Sequence, residues 1–279
     1  AKAGPSSSPA IRRPEVLLAA VPLGLAIGAS VGMLGGGGSV LAVPILVYIL
    51  GEDVETATTV SLGIVAAAAV AGGYAQALAG HVCWRHAAAF TLAALPGIVA
   101  GTALGGVVNG GALIAGFAVV MLLAAGATWR RASAEEPDDD DERGHACPRL
   151  RWGRDLTAGA LIGLLTGLFG VGGGFIIVPT LAVAFSFSMR NAIGTSLAII
   201  TTTSVLGVIV HLGAGRSVEL DLTVVMAAAC VVGALAGVRL AARVPQQTLG
   251  RAFAGLVVAV AGYLLISAAF LGGPPGGSS

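Results

Sequence analysis

This sequence is short of charge. Only 10% of its 279 residues are Asp, Glu, Lys or Arg, against about 25% in a soluble domain, while 56% are hydrophobic. That balance excludes an ordinary soluble domain and points to an integral membrane protein. The net charge of +1 argues against a nucleic-acid partner, which would call for a basic surface. Cysteine is scarce as well. Cys83, Cys147 and Cys230 stand far apart, a spacing that suggests neither a disulfide framework nor a zinc site. No metal or other cofactor is expected.

Charge is missing where an ion-coupled pump would place it. Residues 56–79, 87–129, 191–212 and 222–238 contain no Asp, Glu, Lys or Arg. A proton or sodium antiporter usually carries a carboxylate at mid-depth. Coupling here falls to His211, to backbone carbonyls or to the charge of the transported species. An anion leaving a cell that is negative inside gains about 2.3 kcal/mol per charge per 100 mV, so uncoupled efflux is physically sound. There is no HExxH and no mid-membrane carboxylate pair, so an intramembrane enzyme has little support.

What is present is glycine, in one pattern that occurs twice. The first copy runs from Gly28 through Gly32 and Gly35-Gly36-Gly37-Gly38-Ser39 to Val43-Pro44. The second runs from Gly163 through Gly167 and Gly170-Val171-Gly172-Gly173-Gly174 to Val178-Pro179. A constant shift superposes Gly28 on Gly163, Gly35 on Gly170, Gly37 on Gly172 and Pro44 on Pro179. In each copy an apolar helical pattern meets a glycine cluster, resumes and reaches a proline. Glycine has no Cβ and tolerates positive φ, so the cluster unwinds a helix cheaply. Pro44 and Pro179 add a second helix break.

Along the chain, residues 1–15 form a polar tail. Arg12 and Arg13 before an apolar run match a signal-peptide pattern, but that run has a counterpart in mid-chain, so it reads as the first membrane segment. Residues 16–129 are the first membrane repeat, 130–154 a charged linker, 155–270 the second repeat and 271–279 a tail. The expected fold is all-α, in two homologous halves. It has eight spans if each glycine-broken segment crosses once, and ten if each counts as two. Single crossings make the repeats parallel; segments that go in and back make them inverted. An inside N-terminus with four crossings per half and an outside one with five each put eleven of the 15 Lys and Arg inside, so the positive-inside rule does not choose. Both place the 130–154 linker in the cytoplasm of a multi-pass cell-membrane protein.

The breaks are the first candidate site. Backbone groups freed at membrane depth are tolerated only beside protein or a watery cavity, and the half-helix that follows points free N–H groups inward, where an anion binds without a side-chain charge. Paired broken helices in corresponding halves point to a transporter's substrate site. Gly35, Gly36, Gly37, Gly38, Ser39, Gly170, Gly172, Gly173 and Gly174 are therefore candidate substrate-binding residues. Gly28, Gly32, Gly163 and Gly167, spaced by four, read instead as packing positions. So do Gly97/Gly101 and Gly233/Gly237, which leave contact within or between chains, and hence a homo-oligomer, open. Ser61 and Ser196 are a symmetric hydroxyl pair, with Thr195 beside the second. Thr201, Thr202 and Thr203 read more readily as bonded to their own helix. Gln76 and His211 occupy equivalent positions and are candidates for coupling or gating. Arg85, Arg190 and Arg216 read as interfacial anchors before anion attractors.

The doubled glycine-rich segments, each followed by Val-Pro with Ser-Leu downstream (Ser61-Leu62 and Ser196-Leu197), resemble the TauE/SafE family of membrane transporters over residues 16–270. One departure is that Ser39 stands where the second copy has Gly174. The resemblance implies an exporter or permease of a small, often sulfur-containing anion such as sulfite or an organosulfonate, with that anion and the lipid bilayer as partners. Alternating access around the breaks is the expected mechanism. An anion channel-like pore or an importer is the alternative. A membrane scaffold without transport would have no use for two matched breaks.

Overall fold

The computed structural model describes residues 14–49, 54–105, 110–134, 147–149, 151–169, 174–213 and 220–270. The elements are α1 (Pro14–Leu34), α2 (Ser39–Pro44) continuing as a π-helical turn Ile45–Ile49, α3 (Val54–Leu78), α4 (Trp84–Gly105), α5 (Gly110–Ala134), α6 (Trp152–Phe169), α7 (Gly174–Pro179) continuing as a π-helical turn Thr180–Ala184, α8 (Met189–Gly213), α9 (Leu220–Ala241) and α10 (Gln246–Phe270). No strand occurs among the described residues. The segments Val60–Leu78, Trp84–Leu104 and Thr223–Ala241 are long and apolar enough to cross a membrane. Large apolar side chains such as Leu78, Leu92, Val99 and Leu123 face outward, as expected where the surroundings are lipid rather than water.

Small residues decide which helices touch. A Cβ added at Gly28 would fall on the Cys230 carbonyl, and one at Gly32 on that of Ala234. Gly233 and Gly237 meet Leu25 and Ala29 in return. Contacts climb both helices in the same order, so α1 and α9 run parallel. Gly163 and Gly167 meet Ala94 and Ile98 in the same way, and Gly97 and Gly101 meet Gly163 and Leu164, so α4 and α6 also run parallel. The packing reading of these glycines holds, and the contacts are made within the chain. Backbone-to-backbone approach of this kind carries helix association where lipid offers no hydrophobic drive.

The remaining directions follow from similar contacts. Gly63 touches Thr223 and Gly72 touches Val238, so α3 runs parallel to α9. Gly73 lies on Leu197 and Thr201 while Gly194 meets Gln76 and His81, so α3 and α8 are antiparallel. Gly250, near the start of α10, rests on Ala132, near the end of α5.

Two expectations are revised. Cys83 and Cys147 form a disulfide across 64 positions; the sequence spacing hid it because the packing of α4 on α6, not proximity in the chain, brings the two cysteines together. Cys230 is buried and free. Pro44 and Pro179 do not end their segments. Each closes a short α-helix that continues as a π-helical turn. The missing proline N–H removes one i→i−4 bond, which suits a change to the wider helix.

Candidate functional site

The two glycine breaks meet. Gly35 and Gly36 adopt φ of 63° and 107°, the left-handed region that a side chain would oppose. This reverses the chain between α1 and α2. A Cβ placed on Gly174 would lie 3.0 Å from Gly36 Cα and 2.8 Å from the Ile200 side-chain tip. The two backbones are thus in contact, with Ile200 of α8 covering the junction. Gly37 faces the Phe253 ring of α10, and Gly38 packs back on Ser30 and Val31. Ser39 Oγ donates to the Gly36 carbonyl at 2.6 Å, which closes the turn that starts α2. Gly170, Gly172 and Gly173 lie outside the described residues, as does the side chain of Pro44.

Helix α8 supplies the hydroxyls. Ser196, fully buried, shares its one hydroxyl proton between the Gly35 carbonyl at 2.7 Å and the Ile193 carbonyl of its own helix at 2.8 Å. Thr195, also fully buried, accepts the Cys83 backbone N–H at 3.0 Å. Neighbouring residues on one helix therefore hold the first glycine break and the α3–α4 turn. Ser61 is 6% exposed on α3. Thr201, Thr202 and Thr203 donate to the carbonyls of Leu197, Ala198 and Ile199, which is the back-bonded reading of that run. Thr203 and Thr166 also line a cavity of about 20 Å³ among Phe90, Ile98, Ile177 and Ile199, room for about one water molecule.

Gln76 lies at the end of α3, 5% exposed, with Oε1 3.0 Å from His81 Nδ1. The His81 N–H donates to the Gln76 carbonyl and the Gly80 N–H to that of Ala77, with Gly80 at φ 76°. This is a Schellman cap, so Gln76 terminates the helix that carries Ser61. The side chain of His211 lies outside the described residues.

Three features escaped the sequence reading. The first is a buried joint between α4 and α6. His86 Nδ1 lies 2.5 Å from Asp155 Oδ1 and its Nε2 3.0 Å from the Pro148 carbonyl. Asp155 Oδ2 accepts the Arg151 N–H at 2.9 Å. Both side chains are almost wholly buried. His86 stands edge-on to Phe187, and Arg154 lies 4.4 Å over the Phe185 ring. Asp155 sits just beyond a run of linker charges, so nothing in its neighbourhood marked it as internal. The second is Asn191, 1% exposed, whose Oδ1 and Nδ2 have no partner among the described residues; as a turn residue it carried no signal. The third is the gathering of loops at one end. Besides the disulfide and the His86 joint, Arg131 Nη2 donates to the Phe187 carbonyl at 3.0 Å, and the Met189 N–H donates to Gln246 Oε1 at 2.7 Å.

Comparisons with known proteins point to membrane transporters. A family model described as sulfite exporter TauE/SafE matches residues 20–264. A probable membrane transporter protein of Xylella fastidiosa strain 9a5c is 34% identical over 259 residues, covering 90% of this chain and 95% of its own. Its counterpart in strain Temecula1 is 32% identical over 268 residues, with the same coverage of 90% and 95%. A probable membrane transporter protein of Haemophilus influenzae is 35% identical over 123 residues, 40% of this chain and 45% of its own. No solved structure matches the chain.

Proposed function

The chain belongs to the sulfite exporter TauE/SafE family, a family of membrane transporters, and on that premise we propose that it exports a small sulfite-like or organosulfonate-like anion by alternating access around its two glycine breaks. The observation that carries this reading is the contact of Gly36 with Gly174, under Ile200 and tied to α8 by Ser196. Backbone groups of two broken helices converge there without any carboxylate, which suits an anionic cargo. The substrate-binding set is Gly35 to Ser39, Ser61, Gly170, Gly172 to Gly174, Thr195 and Ser196, with Gln76 and His211 in a gating role.

Two homologous five-helix halves, α1–α5 and α6–α10, are the architecture behind the mechanism. Support comes from direction and partner choice. α1, the first element of one half, runs parallel to α9, the fourth of the other; α6 runs parallel to α4 in the same way. α3 runs with α1 and against its counterpart α8. An inverted repeat with an in-and-back segment in each half satisfies all three relations, and it gives ten membrane passages if each glycine-broken segment counts as two. The end of the bundle that gathers the linker carries Arg85, Arg130, Arg131, Arg149, Arg151, Arg154, Arg190, Arg239, Arg243 and Arg251, which supports a cytoplasmic placement of that end in a cell-membrane protein.

The test is flux of labelled sulfite, sulfate and a simple sulfonate in proteoliposomes, with Gly174→Val beside wild type. We expect saturable flux of at least one of these anions, lost in the variant while it still purifies as a monodisperse protein. Full flux in a folded Gly174→Val protein overturns the site, and no flux of any anion in the wild type overturns the substrate class.

A further inference from the structure

A second polar feature lies away from the breaks, where α8 begins beside the α9–α10 turn. Arg190, Ala242, Arg243, Val244, Pro245, Gln247 and Thr248 line a solvent-open groove of about 510 Å³. Two of these residues are arginines and none is acidic. The single ion pair among the described residues joins His86 to Asp155, so no carboxylate among them neutralises Arg190 or Arg243. Among the described residues, Arg190 Nε is buried without a hydrogen-bond partner, and its Nη2 reaches only the Ala242 carbonyl, at 3.5 Å. A buried guanidinium N–H left without an acceptor is costly, and an acceptor arriving from the groove relieves that cost.

The groove is built rather than incidental. Gln246, 4% exposed, accepts the Met189 N–H through Oε1 at 2.7 Å. This fixes the start of α8, with Arg190, against the start of α10, with Thr248. The backbone turns through Ala242, Arg243 and Val244 by N–H bonds to the carbonyls of Val238, Leu240 and Ala241. The framework therefore presents two guanidinium groups and the Thr248 hydroxyl to one opening. That set matches a compact oxyanion with several acceptor oxygens, because planar guanidinium donors pair with tetrahedral oxyanions.

We propose that this groove is a binding site for a tetrahedral oxyanion, phosphate or sulfate in type, held by Arg190, Arg243 and Thr248 at the membrane–water boundary. The proposal does not rest on the transport mechanism, since neither glycine break lines the groove. The same chemistry is offered by a free inorganic ion and by the phosphate of an anionic lipid headgroup.

The experiment uses the full-length protein in nanodiscs of phosphatidylcholine alone and of phosphatidylcholine with phosphatidylglycerol. Sodium sulfate and sodium phosphate are titrated against sodium chloride at matched ionic strength, and binding is read by calorimetry and thermal shift. Arg243→Gln and Thr248→Val are compared with wild type; both positions are exposed, so both variants should fold, and Arg190→Gln is added as a third. In neutral discs we expect sulfate or phosphate to bind wild type and to bind Arg243→Gln about tenfold or more weakly, as loss of a charged hydrogen bond requires. Chloride should give no such response. If phosphatidylglycerol abolishes inorganic-ion binding in wild type, and native mass spectrometry shows that lipid retained by wild type but lost from Arg243→Gln, the oxyanion is a lipid headgroup. Equal ion binding and equal lipid retention in wild type and in all three folded variants overturn the site.

Discussion

The Ser196 hydroxyl donates a 2.7 Å hydrogen bond to the Gly35 carbonyl across 161 positions of sequence. It joins the opening turns of α8 to the first glycine break, where the backbone has left helical geometry. Ser196→Ala leaves that buried carbonyl without its partner. We expect a loss of about 1 kcal/mol of stability and a fall in anion flux greater than that small loss explains. Thermal unfolding measured beside proteoliposome flux checks it; unchanged flux in Ser196→Ala separates the hydroxyl from transport.

Glycines at helix crossings differ sharply from those facing outward. A Cβ at Gly163 would collide with the Ala94 backbone, whereas one at Gly126 or Gly255 meets nothing within 4 Å. Gly163→Val should collapse the yield of folded protein, because backbone cannot give way as a side-chain tip can. Gly126→Ala and Gly255→Ala should leave yield intact and raise stability by up to about 1 kcal/mol through helix propensity. Fluorescence-detected size exclusion of the three variants reads both effects.

The His86–Asp155 joint fastens α4 to α6 from inside. Asp155→Ala strips the partner from a buried histidine and frees the Arg151 N–H. A cost of about 3–5 kcal/mol is expected for breaking a buried pair from one side. The double variant His86→Leu with Asp155→Leu should recover much of it, since a matched apolar pair leaves no orphaned polar group. Melting temperatures of the set decide; equal stability of Asp155→Ala and wild type overturns the structural role.

Cys83 and Cys147 tie the linker to the α3–α4 turn, at the arginine-rich end of the bundle proposed above to face the cytoplasm. Thiols in that compartment are kept reduced. The bond seen in the structure is therefore expected to be open in the cell and to close on oxidation: both cysteines react with a mass-tagged maleimide in untreated, lysed cells and become protected after diamide. Protection without oxidant would place the linker outside and reverse the proposed orientation.

Asn191 buries an amide with neither polar atom partnered among the described residues. Replacing it by Leu removes a desolvation cost of about 1–3 kcal/mol. Asn191→Leu should therefore melt higher than wild type. A lower melting temperature would mean that the amide is satisfied in the membrane by something the leucine cannot replace.

Sequence alone carried the reading as far as periodicity and symmetry reach. The long charge-free runs marked α3, α8 and α9 to within a few residues and held α4 and α5 together in the run 87–129, because a bilayer admits little else than apolar helices. The doubled glycine clusters located both breaks, because few other residue types unwind a helix so cheaply. The four-residue spacing of Gly28 and Gly32, and of Gly163 and Gly167, announced close packing but not against what.

The partners came only with the tertiary structure. That α1 chooses α9 and α6 chooses α4 depends on which small faces match in three dimensions, and spacing along one helix is silent on that. The Cys83–Cys147 bond, the His86–Asp155 joint and the Arg190–Arg243 groove share the same origin. Each joins residues from different helices, and it is the packing of those helices, set by backbone contact at glycine, that brings their polar groups within reach.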